Sequence, residues 1–126
     1  MNKRADIIKY LTNELSKAKY QYKDNMEHIN DNFLVYFAWR AEETYVSAYI
    51  AHEITMMVYT LNEKTDLDLT TYFGRIKESY IDRLTTRPAM ESSTSHTQNL
   101  CSLWGTQVRQ ELLKMVNQCL EILFAE

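Results

Sequence analysis

The chain predicts an all-α fold, an antiparallel four-helix bundle with a long central helix 2 and a shorter helix 3. Three observations carry that expectation. Its 126 residues include only two Gly and one Pro, far too few turn formers for a sheet protein. Apolar residues recur at three- and four-residue spacing through four segments. The segments are joined by short polar connections, which favour antiparallel neighbours.

The first helix is expected over about 3–28. Ile8, Leu11, Leu15, Ala18, Tyr22 and Ile29 form its seam, and Asn25 takes the one skipped apolar position. The stretch HINDN (28–32), rich in caps and poor helix formers, predicts the turn. Helix 2 is expected over about 31–62 and contains NFLVYFAWRAEETYVSAYIAHEI, apolar on nearly every side. One stripe runs through Leu34, Ala38, Ala41, Tyr45, Ala48, His52, Thr55 and Tyr59. A second, about 100° around, runs through Val35, Trp39, Val46, Ile50, Met57 and Leu61, with Glu42 and Glu53 in its gaps.

TDLD (65–68) has capping-box spacing and predicts the start of helix 3, over about 67–86. Leu69, Tyr72, Phe73, Ile76, Tyr80 and Leu84 make its apolar side. Pro88 and the Ser/Thr cluster that follows predict a loop over 85–95. Helix 4, over about 95–124, buries Leu100, Cys101, Trp104, Val108, Leu112, Met115, Cys119 and Ile122, with Gly105 marking a close approach or bend. At this length the chain fits a single domain, 1–126.

Composition excludes several classes. A net charge of −3 and a pI near 5.6 lack the basic footprint of a nucleic-acid coat. Residues 1–30 carry six Lys/Arg against four Asp/Glu, and residues 31–63 carry one against five. No run reaches the ~18–20 apolar residues of a membrane span, because Arg40, Glu42, Glu43 and Glu53 interrupt the sole candidate. The N-terminus lacks the apolar core of a secretory signal, so a cytoplasmic location is expected. Cys101 and Cys119 fall on one helix about 27 Å apart, too far to bond within a chain.

Catalytic signatures are absent, and the expectation is a non-enzyme without cofactor or metal. No Glu-x-x-His supports a di-iron bundle. His28 and His52 are separated by most of helix 2, which argues against a three-His site. His52, on the first stripe, reads as a core histidine bonded to a neighbour. Glu42 and Glu43 are adjacent, so their carboxylates diverge by about 100°. All-α ribonucleases of the higher-eukaryote-and-prokaryote nucleotide-binding type place His a few residues after Arg. Here Arg87 and His96 are too far apart for that motif, with Pro88 intervening.

The positive signal is aromatic: nine Tyr and two Trp, types enriched at the cores of protein interfaces. The expected function is a helical protein–protein interaction module of inhibitor, immunity-protein, adaptor or chaperone type. It binds a protein partner, itself as a homodimer, or both. The expected contact residues are Phe33, Tyr36, Phe37, Trp39, Arg40, Glu43 and Tyr49, with Tyr36 stacked on Arg40 and Arg40 paired to Glu43. The competing reading of the same surplus is a helix 2 wrapped on all sides by the other three. The alternative functions are a nucleic-acid-acting, ribonuclease-like domain using Arg83, Arg87 and His96, and a small-ligand-binding bundle with a pocket at the start of helix 2.

Overall fold

The computed structural model describes residues 2–85 and 96–125; the side chains of 34–39, 85 and 96–103 lie outside the described set. The chain is all-α, with four helices and, among the described residues, no strand. They are α1 (Lys3–Asp31), α2 (Phe33–Glu63), α3 (Leu69–Thr85) and α4 (His96–Phe124). Thr85, the first residue of the expected 85–95 loop, still belongs to α3, and the rest of that loop with its Pro88 stop falls outside the described residues. Residues 1–65 and 66–126 form two compact units, α1 with α2 and α3 with α4.

Asn2 caps α1: its side-chain oxygen accepts the Ala5 amide at 3.2 Å, satisfying one of the donors a helix start leaves open. The helix runs three residues further than expected, and the turn shrinks to Asn32, whose amide donates to His28 O at 3.2 Å. Poor helix propensity in HINDN costs only tenths of a kcal/mol per residue, and Ile29 is buried. Burial decides the boundary.

Hydrogen bonds at both ends show that α1 and α2 run antiparallel. Near the start of α1, the Arg4 guanidinium donates to the carbonyls of Leu61, Lys64 and Thr65 at 2.8, 3.3 and 2.9 Å. Near its end, Asn25 Oδ1 accepts from Arg40 Nη1 at 2.8 Å. The two ties are separated by 21 residues on each helix, so equal rise places Leu11 level with Ile54 and Ala18 level with Ser47. Arg4, Leu11, Ala18 and Asn25 on α1, and Arg40, Ser47, Ile54 and Leu61 on α2, each recur every seven residues, the repeat of helices packed nearly parallel in axis.

Leu11, Ile54 and Leu61 are fully buried, as is Ile7. Ala18 and Ser47 make a layer of two small residues at mid-height, and the buried Ser47 hydroxyl is satisfied by Thr44 O at 3.1 Å.

This register corrects the expected faces. On α1 the buried set is Ile7, Leu11, Ala18, Asn25 and Ile29, while Tyr22 is exposed and Ile8 and Leu15 are half-buried. On α2 the second expected stripe holds at Val46, Met57 and Leu61, joined by Ser47 and Ile54. The first does not: Ala48, His52, Thr55 and Tyr59 are exposed, and Ala41 and Tyr45 half-buried. A helix that is apolar all round carries no inward-facing preference of its own. The polar groups at both ends, which need specific partners, select one.

In the second unit Asp68 caps α3. Its Oδ1 accepts the Thr70 amide at 3.1 Å, and its Oδ2 accepts the Thr71 hydroxyl at 2.8 Å. The expected capping box from Thr65 is thus replaced by a cap at its last residue, and the helix starts at Leu69. Phe73 and Tyr80 are buried on α3, with Leu69, Tyr72, Ile76 and Leu84 half-buried.

On α4, Gly105, Val108, Leu112, Met115 and Cys119 are buried and alternate three- and four-residue steps. Val116 joins them, and Trp104 and Ile122 are half-buried. The side chains of Leu100 and Cys101 lie outside the described set. No close approach requires Gly105 among the described residues: a Cβ there would meet only the flexible end of Arg109, with Nη1 at 3.4 Å.

Candidate interaction surface

The functional question centres on α2, since it carries the aromatic surplus. At 1.5 Å per residue its 31 residues extend about 46 Å. Its first residue, Phe33, is 59% exposed. The side chains of Tyr36, Phe37 and Trp39 lie outside the described set. Glu43 is exposed and Tyr49 half-buried.

Arg40 faces α1 instead of setting an external register. Its Nη1 donates to the buried Asn25 and lies 3.5 Å from Asp24 Oδ2. The Asp24 carboxylate also stands 3.6 Å from His28 Nδ1. That nitrogen is 2.8 Å from the Asp24 backbone carbonyl, an acceptor only, so Nδ1 carries the proton. The expected Arg40–Glu43 pair is thus replaced by a tie between helices. The cause is burial: Asn25 is only 3% exposed, and its side-chain oxygen needs a donor more than a solvated glutamate does.

Three residues of the first expected stripe, Tyr45, His52 and Tyr59, join Tyr49 and Met56 in an outward seam. Tyr45, Tyr49, His52, Met56 and Tyr59 follow alternating four- and three-residue steps, which keep them in one line along the helix. Tyr45 and Tyr49 pack with ring centroids 5.9 Å apart at 51°. His52 is exposed, Met56 is 50% exposed and Tyr59 62%. Core histidine is therefore the wrong role for His52. Its flanks differ. At 100° per residue, Glu42 and Glu53 lie on one side of the seam, Ala48 and Thr55 on the other, and Glu63 at its C-terminal end. The four- and three-residue repeat was the available signal for Met56 and Tyr59. It was hidden because two such repeats coexist on α2.

Other expected chemistry finds little assembled support. Among the described residues, no group of three His, Cys, Asp or Glu could hold a metal ion. Arg83 is exposed, and the side chains of Arg87 and His96 lie outside the described set. Among the described residues, a space of about 380 Å³ runs along α3 beside Leu67, Thr71, Tyr72, Arg75, Ile76 and Ser79, and the expected pocket at the start of α2 falls on side chains outside the described set. Cys119 is fully buried, and that burial pushes its thiol up to about 12, which removes it as a nucleophile at neutral pH. No described helix is long and apolar enough to cross a membrane.

The chain matches no family model, no curated protein and no solved structure. Its function has to be read from the surface itself.

Proposed function

We propose that this is a non-enzymatic helical interaction module, which acts by covering its α2 aromatics with a protein partner or with a second copy. The observation that carries the reading is the run of large apolar groups along one line of α2: Met56 and Tyr59 in solvent, with Tyr45 and Tyr49 half-buried before them. Single exposed apolar residues are ordinary on any surface, but an aligned series on one helix marks an interaction site. Tyr side chains add contact area at the cost of few torsions and keep a hydroxyl for the rim. Of the expected patch, Phe33 and Glu43 are exposed and Tyr49 lies on this line, while Arg40 is tied to α1 through Asn25. A cytoplasmic inhibitor, adaptor or chaperone would work in this way, by occlusion.

Site-specific photo-crosslinking tests the proposal. A benzoylphenylalanine at position 49 or 59 is expected to give a discrete adduct, with a second copy or with another protein. The same group at Lys9, on the exposed side of α1, is expected to give none. Equal labelling from all three positions, or none from any, refutes the reading. Sedimentation across a hundredfold concentration range then separates a homodimer from a foreign partner.

A further inference from the structure

We propose that the outward seam of α2, from Tyr45 to Tyr59, docks a cationic amphipathic helix of a partner protein. The inference rests on the interaction reading above and adds the chemistry of what binds.

The first observation is spacing. Tyr45, Tyr49, His52, Met56 and Tyr59 present a coiled-coil stripe about 21 Å long, nearly four helical turns. A stripe of that shape matches the apolar seam of another helix better than an extended strand, whose side chains repeat every second residue.

The second is the asymmetry of its flanks. Ala48 and Thr55 are exposed and small, so a helix can approach closely on that side. Glu42, Glu53 and Glu63 line the other side and the C-terminal end, and no Lys or Arg occurs between Arg40 and Lys64. Arg40 itself is held by Asn25 and Asp24. Lysines or arginines flanking the partner's apolar stripe would meet three carboxylates, setting both its orientation and its selectivity.

The third concerns a second copy. A two-fold axis through His52, the midpoint of the seam, would set Glu42 of one copy near the level of Glu63 of the other and stack His52 on itself. Like charges then meet at both ends with no cation of α2 between them. A foreign cationic helix removes that repulsion.

The test uses the full chain and two labelled helix-forming peptides of about 21 residues, six helical turns. Both carry Leu at heptad a and d positions, with Lys on one flank in the first and Glu there in the second. Fluorescence anisotropy at low salt is expected to show the Lys peptide binding at least about tenfold tighter, as three surface charge pairs would supply. Glu42→Gln with Glu53→Gln should remove most of that preference. Tyr49→Ala with Met56→Ala should weaken the Lys peptide about tenfold. All four positions are exposed or half-buried, so circular dichroism should show folded variants.

Equal binding of both peptides overturns the proposed partner chemistry while leaving the interaction reading intact. So does Lys-peptide binding that ignores Tyr49→Ala with Met56→Ala and vanishes in salt, which is bare charge attraction. A dimer of the chain dissociated by Met56→Glu makes the occupant a second copy and also overturns it. Binding of neither peptide, together with no crosslink from position 49 or 59, defeats both readings.

Discussion

Arg4→Ala should unfasten the C-terminal end of α2, although the two positions are 57 residues apart. Arg4 donates to three carbonyls, of Leu61, Lys64 and Thr65, in the last turn of a helix and just beyond it, where carbonyls have no intrahelical partner. The bond to Leu61 is part-buried and the other two exposed. A charge-assisted hydrogen bond in a partly buried site contributes about 1.5 kcal/mol, and the exposed pair with the helix dipole adds a further ~0.5 kcal/mol. The expected loss is therefore about 2 kcal/mol, or roughly 8 °C in Tm for a chain of this size.

Arg4→Lys offers one compact ammonium in place of the planar fork and should recover less than half of that. Urea denaturation gives the magnitude, and native-state hydrogen exchange gives the place. Amides of Thr60 to Lys64 should exchange faster by local opening, whereas those near Ser47 and Ile54 should change only by the global amount. A loss under 0.5 kcal/mol, or exchange speeded equally along α2, would refute the clamp.

Four further outcomes are expected. Leu11→Ala, at a fully buried position level with Ile54, should cost about 3 kcal/mol by chemical denaturation. Asn25→Ala leaves the Arg40 guanidinium without its 2.8 Å acceptor and should cost about 2 kcal/mol. In a double-mutant cycle with Arg40→Leu the coupling should reach about 1 kcal/mol or more, and additivity would contradict the tie. Gly105→Ala meets only the flexible end of Arg109 and should stabilise by about 0.5–1 kcal/mol, visible as a raised Tm.

Cys119 should resist a thiol reagent until the chain is unfolded. Its thiol is raised from 9.0 to about 12 by burial, so above pH 9 the unfolded chain ionises while the folded one stays neutral. Its contribution is intact below pH 9 and falls by up to about 1.4 kcal/mol per pH unit towards 12. Comparing the pH slope with that of Cys119→Ala isolates it, and identical slopes would count against a buried neutral thiol.

Local signals in the sequence determined the four helices to within a few residues, because helix periodicity and chain-stopping residues act over one or two turns. The buried stripe of α4 was legible for the same reason: Val108, Leu112, Met115 and Cys119 stand against a polar opposite face. The aromatic surplus of α2 was also plain, which is why it became the candidate surface.

What only the tertiary structure decided is the direction in which α2 faces. With apolar residues on every side, its inward stripe could not be found from hydrophobicity. Asn25 and Arg4 settle it from the other helix, since each needs a particular partner, Arg40 for one and the α2 C-terminal carbonyls for the other. An unmet buried hydrogen bond costs more than exchanging one apolar face for another. That selection turns His52, Met56 and Tyr59 outward and Ser47 and Ile54 inward, and it makes Arg40 a tie between helices.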